Sequence, residues 1–214
     1  MMSYASWTRT RSTLRLMRQH GWRILATPRT LQGSRNKQAP YWADGSPAPY
    51  ALDNGAWGCH TRGEPFDADH FRWALDKLGE NADWVVIPDK VGDREATLES
   101  AEQWWPRLKG LRLLLPVQDG MVEGDVEPWL DKGAGLFVGG TTDWKMGSIR
   151  RWTTLARQHN AHCHVARING AARIKTCSHF GVDSVDGKSI VLFPSTFHLL
   201  NNALRQRPLF GGTQ

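Results

Sequence analysis

The segment Ala161–Lys188, AHCHVARINGAARIKTCSHFGVDSVDGK, contains the repeat that decides the fold. A short apolar stretch at 162–168 is followed by a small-residue turn, a helical stretch and a second short strand that ends at Gly187. Because side chains alternate along a strand, Asp183 and Asp186 face opposite sides of that second strand. Asp186 directly precedes a glycine turn, where catalytic acids of parallel barrels lie, although it could instead cap the next helix.

The same alternation of short strands and helices recurs along the chain. It indicates an α/β fold with parallel strands, and seven or eight units favour a compact (β/α)8 barrel over an open sheet. The 214 residues lie near the lower limit for such a barrel, so we expect one domain, 1–214, with a barrel that is distorted or incomplete at its ends. The other strands are predicted at Trp22–Thr27, Tyr50–Asp53, Ala82–Ile87, Leu111–Val117 and Gly135–Val138, with Ile190–Phe193 as an eighth strand or the start of the last helix.

Charge and cysteine content narrow the class of protein. The net charge of +6 favours an anionic partner such as nucleic acid. Cys59, Cys163 and Cys177 are too scattered for a disulfide framework or a zinc site, so we expect no metal and a reducing cytosol. No signal peptide and no apolar run of about 20 residues is present, which predicts a cytoplasmic protein.

The N-terminal quarter is rich in arginine. Thr8–His20 reads as a basic helix, and the polar segment Pro28–Pro49 is either a lid that contacts substrate or a surface loop. A positive region of this kind could grip phosphates, or it could be a solvated face that only keeps the protein soluble. The candidate phosphate-binding residues are Arg15, Arg18, Arg29, Arg35 and Lys37, together with Lys188 after the last acid.

Polar residues follow nearly every predicted strand. In a parallel barrel these strand ends gather at one face, so three or more carboxylates and an amide would line one pocket. Carboxylates and amides can hydrogen-bond a base edge, and a carboxylate can also attack a sugar anomeric carbon while a second acid moves protons. The groups concerned are Asp53-Asn54-Gly55, Asp89-Lys90, Gln118-Asp119-Gly120, Gly139-Gly140-Thr141, Arg167-Ile168-Asn169-Gly170 and Asp186-Gly187.

The order of these motifs resembles the queuine tRNA-ribosyltransferase family (tRNA-guanine transglycosylases), and most closely its shorter phage and bacterial relatives that place 7-deazaguanines in DNA. The resemblance covers roughly residues 50–188. It lies in Asp53-Asn54-Gly55-Ala56-Trp57, Pro88-Asp89, Val117-Gln118-Asp119-Gly120, Leu136-Phe137-Val138-Gly139-Gly140 and Gly181-Val182-Asp183-Ser184-Val185-Asp186.

The resemblance implies a (β/α)8 barrel that exchanges guanine for a deazaguanine without a cofactor. Asp186 would attack C1′ to form a covalent glycosyl-enzyme, Asp53 would be the general acid and base, and Trp57 would stack on the base. The remaining substrate contacts that it implies are Asp89 and Gln118 on the base edge, the backbone of Gly139 and Gly140, and Arg167 and Asp183, with Asp183 alternatively supporting its strand end.

The chain departs from the family pattern at three places. Asn54-Gly55-Ala56 replaces Ser-Gly-Gly, Gly187-Lys188-Ser189 replaces Pro-Thr-Arg, and Arg167 stands where an apolar residue usually sandwiches the base. The zinc-binding subdomain of the tRNA enzymes is absent from the sequence, which favours DNA as the substrate.

We therefore expect a transglycosylase that replaces guanine in DNA with a 7-deazaguanine of the preQ0 or preQ1 type. Three alternatives stay open: the same chemistry on tRNA, an inactive nucleic-acid-binding barrel, and a barrel that acts on free nucleosides or sugars. The pair Asp53 and Asp186 argues against a purely binding module, because anionic groups near phosphates weaken binding. The oligomeric state also stays open, with a homodimer as one alternative.

Overall fold

The computed structural model describes residues 1–32 and 40–206, and within them eight strands form a closed parallel barrel. Each strand pairs in parallel with the next, and the first pairs with the last. The (β/α)8 prediction is confirmed, and the barrel is complete rather than open. The strands are β1 (Met2–Ser6), β2 (Arg23–Ala26), β3 (Tyr50–Leu52), β4 (Val85–Val86), β5 (Leu113–Val117), β6 (Gly135–Val138), β7 (Cys163–Val165) and β8 (Ser184–Gly187).

Helices surround the barrel and cover its outer face. Asp67 and Asp93 cap the helices that begin at Ala68 and Arg94, because each carboxylate accepts a hydrogen bond from a backbone N–H in the first turn. The helices are α1 (Arg11–Gln19), α2 (Pro28–Gln32), α3 (Ala56–Thr61), α4 (Ala68–Leu78), α5 (Arg94–Leu108), α6 (Glu123–Asp131), α7 (Thr142–Gln158), α8 (Ala171–His179), α9 (Ser189–Leu192) and α10 (Phe197–Arg205), with a 3₁₀ turn at Pro194–Thr196.

Both ends of the chain differ from the sequence-based prediction. The first strand is β1, whose sequence Met-Ser-Tyr-Ala-Ser has no apolar run to mark it, so the strand predicted at Trp22–Thr27 is the second. The eighth strand is β8, because Ile190–Phe193 falls largely in the short helix α9. The segment Pro28–Pro49 begins with α2 rather than with loop.

The barrel interior is filled by side chains of unequal size. Tyr4, Trp84 and Phe137 bring large rings into a space that smaller residues such as Ala51 leave for them. The Tyr4 and Trp84 rings meet edge to face with centroids 5.1 Å apart, a favourable aromatic geometry. This interior is the platform beneath the carboxyl ends of the strands.

The register of β7 against β8 brings polar groups into this interior. His164 is the partner of Ser184 in the parallel ladder. Because side chains alternate along a strand, His162 and His164 share one face of the chain at β7, and Ser184 and Asp186 share one face of β8. His164 and Ser184 have no solvent exposure, and their side chains contact each other.

Tight packing at the start of β6 predicts a measurable loss of stability in Gly135→Ala. A methyl group at Gly135 would lie 2.5 Å from Leu114 Cδ2 and 2.6 Å from the His162 carbonyl oxygen. We expect the free energy of unfolding to fall by about 1–3 kcal/mol in urea titrations. Gly147→Ala is the control: Gly147 lies inside α7 with open space around it, and the same added methyl should raise stability by up to about 1 kcal/mol. Equal effects of the two changes would contradict this account.

Candidate active site

A cleft of about 1200 Å³ opens at the carboxyl ends of the strands. Its lining includes Asp53 after β3, Trp57 on α3, Arg167 and Asn169 after β7, and Asp186 in β8. Active sites of (β/α)8 barrels lie at this end, because the loops that follow the strands can vary without disturbing the barrel. The cleft therefore brings together the residues predicted for the chemical steps.

Asp186 is fixed by two hydrogen bonds to one of its carboxylate oxygens. Its Oδ1 accepts from His164 Nε2 at 3.0 Å and from the Arg167 backbone N–H at 3.1 Å. Its Oδ2 makes no hydrogen bond to any residue in the described ranges, and the side chain keeps 10% of its surface exposed. One oxygen thus sets the orientation, and the other is available to a group in the cleft.

Asp53 sits where the chain leaves β3 and turns into α3. The turn uses Gly55 in the left-handed region at φ +84°, and the Gly55 N–H donates to Asp53 Oδ1 at 2.6 Å. Burial raises the pKa of Asp53 to about 7, the Gly55 hydrogen bond opposes this rise, and the charges of Asp186 and Asp89 add to it. A carboxyl group with this pKa can both give and take a proton at neutral pH.

Asp89 is held beside the cleft by Asn54. The Asn54 Nδ2 donates to Asp89 Oδ1 and to the Ile87 carbonyl, each at 2.8 Å, while its Oδ1 accepts from the Ala56 N–H. Burial raises the pKa of Asp89 to about 6, against the opposing effect of the Asn54 hydrogen bond. Asn54 lines the cleft and Asp89 does not, so the nearer polar group on this wall is the amide.

Arg167 supplies a positive charge among these acids. Its backbone lies in the left-handed region at φ +58°, which costs a non-glycine residue roughly 1–2 kcal/mol. The guanidinium carbon lies 3.9 Å from the Trp57 ring centroid, and one of its nitrogens donates to the Gly140 carbonyl. Burial lowers the pKa of Arg167, and the nearby carboxylates, Asp186 first among them, oppose that effect. Trp57 and Arg167 thus meet each other across a cation–π contact.

Gln118 is not part of the cleft, which corrects the prediction that it reads a base edge. Its Oε1 accepts from the Gly92 N–H at 2.8 Å, and its Nε2 donates to Thr97 Oγ1 at 2.6 Å and to the Lys90 carbonyl at 2.9 Å. The side chain is buried, and these contacts occupy the amide. Gln118 therefore ties the segment between β4 and α5 to the end of β5.

Asp183 lies at the opposite end of β8 from the cleft, which corrects its assignment as a substrate contact. Its Oδ2 accepts from the Cys163 N–H at 2.8 Å, and its carbonyl accepts from the Met2 N–H at 2.8 Å. Both contacts join the amino-terminal ends of strands. The alternative expectation, that Asp183 supports a strand end, describes what the structure shows.

The two glycines after β6 also lie outside the cleft lining. Gly140 adopts φ +70°, and a Cβ there would come within 2.3 Å of Asp119 Oδ2. Its carbonyl accepts from Arg167, and the Gly139 N–H donates to the Val117 carbonyl at 2.8 Å. The bare backbone predicted to face a base is thus used within the protein, to let Asp119 and Arg167 approach.

Cations surround the acidic floor. Among the predicted phosphate-binding residues, Arg29 and Lys188 line the cleft, while Arg15 and Arg18 lie on the exposed side of α1 and Arg18 pairs with Asp44. Arg35 and Lys37 fall outside the described residues. The cleft lining also contains two cations outside that set, Arg62 and Arg173.

Sequence reasoning missed the polar groups beneath Asp186. His162, just before β7, and His164, within it, are two residues apart, as Ser184 and Asp186 are on β8. Both spacings place polar side chains on one face of the chain at a buried strand. This paired spacing is the sequence feature that could have predicted the polar groups beneath Asp186. Its meaning depends on the register that sets His164 opposite Ser184, which is a non-local property.

The described part of the chain holds neither a candidate metal site nor a candidate membrane-spanning helix. Across residues 1–32 and 40–206, no three His, Cys, Asp or Glu residues are grouped so as to hold a metal ion. Over the same ranges, none of the helices has both the length and the apolar character required to cross a membrane.

Comparisons with known proteins support the fold alone. No family model matches the chain, and no curated protein matches it. The BexX/CysO complex of Amycolatopsis orientalis contains a chain that is similar in structure, with a TM-score of 0.60 at 14% identity over 95% of this chain and 86% of that one. A mandelate oxidase variant with a monooxide FMN adduct is also similar in structure, with a TM-score of 0.54 at 14% identity. The match covers 96% of this chain and 68% of that chain.

The raised pKa of Asp53 predicts how stability depends on pH. Between the ordinary carboxyl value of 3.8 and the folded value of about 7, the folded protein binds more protons than the unfolded chain. Stability attributable to this group is therefore complete below that window and is lost as pH rises through it, by at most about 1.4 kcal/mol per pH unit. Asp53→Asn keeps an acceptor for the Gly55 N–H but cannot titrate.

We subtract the free energy of unfolding of the wild type from that of Asp53→Asn. We expect this difference to increase with pH between 3.8 and about 7 and to stay constant outside that window. Urea titrations at a series of pH values measure it. A difference that stays constant through the window would show that burial does not hold Asp53 protonated.

Proposed function

We propose that this protein is a transglycosylase that exchanges guanine in DNA for a 7-deazaguanine of the preQ0 or preQ1 type. The observation that carries the proposal is the pair of unlike acids in one cleft. Asp186 is oriented by two donors with one oxygen free, and Asp53 has a pKa near neutrality. A nucleophilic carboxylate and a separate proton-transfer acid are what replacement at an anomeric carbon requires.

In the first step the free Asp186 oxygen attacks C1′ of the target deoxyguanosine. The new C–O bond replaces the bond to N9, whose electron pair leaves with guanine, and Asp53 donates the proton that makes guanine a neutral leaving group. The product is an ester that joins Asp186 to the sugar, and the phosphodiester backbone is untouched.

In the second step the incoming deazaguanine occupies the place of guanine. Asp53, now ionised, accepts the proton from N9 of the new base, and N9 attacks C1′ while Asp186 departs as a carboxylate. Both acids return to their starting states, so the cycle balances without a further reactant. A pKa of about 7 lets Asp53 serve as the acid and then as the base.

The walls of the cleft contain groups suited to a purine. Trp57 is 44% exposed and offers a ring face for stacking, with the Arg167 guanidinium already against it. The Asn54 amide lies on the same side as Asp89, within the cleft lining. We assign base recognition to this wall, with Asp89 acting through Asn54.

Charge distribution favours a nucleic acid over a free nucleoside. Arg29 and Arg62 share Glu64 as a partner, whereas Arg173 and Lys188 form no ion pair with any residue in the described part of the chain. Cations around an acidic floor suit a ligand with phosphates outside and a sugar inside. A free nucleoside would gain nothing from the outer cations.

We expect Asp186→Asn to lose at least about 10⁴-fold in exchange rate while still binding DNA, because the amide keeps the hydrogen-bonded shape but is a poor nucleophile. The assay incubates a guanine-containing duplex or a tRNA with preQ0 or preQ1, and nucleoside mass spectrometry quantifies the inserted base. In the wild type, denaturing gels should show a protein–DNA adduct that depends on Asp186.

Asp183→Asn is the matched control, because Asp183 is the other acid of the same motif but lies at the opposite end of β8. It should retain near-normal exchange. Full activity of Asp186→Asn would overturn the nucleophile assignment. Insertion into tRNA alone would favour the tRNA alternative, and nucleic-acid binding without exchange in the wild type would favour an inactive binding barrel.

The outer cations predict a salt effect. Log affinity for duplex DNA should fall with log salt at a slope of about −0.9 per neutralised phosphate, so Arg173→Ala/Lys188→Ala should flatten the slope by up to about 1.8. Arg15→Ala/Arg18→Ala should flatten it less, because Asp44 already pairs with Arg18. Lys109→Ala, beyond α5 at the other end of the barrel, is the control. Unchanged slopes in both double variants would place the DNA elsewhere.

A further inference from the structure

Four side chains form a continuous hydrogen-bonded series through the barrel interior. Asp186 Oδ1 and His164 Nε2 are 3.0 Å apart, His164 Nδ1 and Ser184 Oγ are 2.8 Å apart, and Ser184 Oγ and His162 Nε2 are 2.7 Å apart. His164 and Ser184 are fully buried, Asp186 opens into the cleft, and His162 is partly exposed before β7 begins. The series therefore connects the cleft with the opposite end of the barrel.

The donors in this series all point the same way when Asp186 is ionised and His164 is neutral. A carboxylate only accepts, so His164 Nε2 carries the proton and donates to Asp186. His164 Nδ1 must then accept, which makes the Ser184 hydroxyl its donor. The Ser184 oxygen is left to accept from His162 Nε2–H. His164 and Ser184 each fill one donor and one acceptor role, which is the arrangement needed for successive proton transfer.

We propose that His164, Ser184 and His162 are a proton path that lets Asp186 exchange protons with solvent at the end of the barrel opposite the cleft. The path itself follows from the geometry, and its catalytic use rests on the proposed function. A nucleic acid seated over the cleft would shut out water from above. The path then provides a second route by which a protonated Asp186 can return to the nucleophilic carboxylate.

The path can deliver a proton from water to Asp186, or remove one, and every proton in the sequence is accounted for. To deliver one, water protonates His162 at Nδ1, and the Nε2 proton of His162 passes to Ser184 as the hydroxyl proton passes to His164 Nδ1. His164 then gives its Nε2 proton to Asp186 and ends as the neutral Nδ1–H form, while His162 also ends neutral. Removal is the reverse sequence. No bond other than those to hydrogen changes.

The surroundings suit transfer rather than storage of a proton. Around His164, Trp84 and Phe137 exclude water, with Phe137 stacked on the imidazole at 5.0 Å, and Tyr4 completes the enclosure. Burial lowers the pKa of His162, and neighbouring His164 lowers it further, so a proton that arrives there is not retained. The charged groups that influence the pKa of His162 are Asp183 and Asp83, which raise it, and Arg112, which lowers it.

Groups near Asp186 complete the electrostatic environment of the path. Arg167 and Lys145 approach from the β7 end and from α7, and Asp53 approaches from β3. The Tyr4 hydroxyl donates to Asp83 rather than to the path, so it does not branch the series. Within the described ranges, no other side chain hydrogen-bonds to the four of the series.

The direct test is the exchange of the His164 Nε2 proton with water, measured by ¹⁵N NMR on the 214-residue chain. Ser184→Ala removes the central hydroxyl. His162→Gln keeps an N–H donor toward Ser184 but cannot relay a proton, so it separates transfer from mere hydrogen bonding. We expect both variants to slow the exchange by about 100-fold, the low end for a positioned proton-transfer group.

Thr153→Val is the matched control, because it removes a buried hydroxyl that bonds within α7 and lies off the path. It should leave the His164 exchange rate unchanged. Wild-type rates in both Ser184→Ala and His162→Gln would overturn the proposal and show that water reaches His164 from the cleft. Slowing in Ser184→Ala alone would also overturn it, since the route would not pass through His162.

The base-exchange activity provides a second, independent test of the path. With DNA bound, single-turnover exchange in Ser184→Ala and His162→Gln should be slower than in the wild type at low pH and should match it at high pH, because the path serves only protein in which Asp186 carries a proton. A uniform loss at all pH values would indicate a structural role and overturn the path. If the wild type performs no base exchange, the proposed function fails while the NMR result still decides the path.

Discussion

The hydrogen bond between His164 Nε2 and Asp186 Oδ1 is the contact on which the rest of the site depends. It joins the packed interior of the barrel to the open cleft, because His164 is fully buried and Asp186 is not. Phe137 lies parallel to the imidazole within 12°, and the Trp84 ring centroid is 4.7 Å away. The ring cannot turn without disrupting this packing, so the barrel core sets the direction of the carboxylate.

Charge balance is the second constraint on the cleft. Asp53, Asp89 and Asp186 share this end of the barrel with Arg167, and full ionisation of all three acids would leave an unfavourable excess of negative charge. Raised pKa values at Asp53 and Asp89 relieve it, because protons neutralise part of the charge near pH 7. The unusual backbone of Arg167 follows from the same need, since the left-handed turn keeps its N–H on Asp186 while its guanidinium reaches Trp57.

The sequence predicted the architecture more fully than the site. Strands buried on both faces are marked by apolar runs, but β1 has none, and its place is set by pairing with β2 and β8. The sequence could predict that Asp53 and Asp186 lie at the ends of strands. It could not predict whether a polar side chain would face the cleft or hydrogen-bond to a neighbouring segment, and Gln118 and Asp183 both hydrogen-bond within the protein. The contact of His164 with Ser184 required the register between two strands.

The depth at which each charged group lies in the cleft limits which ligands fit. Arg173 and Lys188 lie along the cleft toward its outer part, Asp186 marks its floor, and the barrel core closes it below. A phosphodiester chain laid across the cations can present a flipped-out nucleoside to the floor, at the cost of a few kcal/mol for unstacking the base. That cost must be recovered inside the cleft, and Trp57 with Arg167 offers the stacking surface to do so. An intact duplex, whose bases stay stacked, could reach the cations but not Asp186.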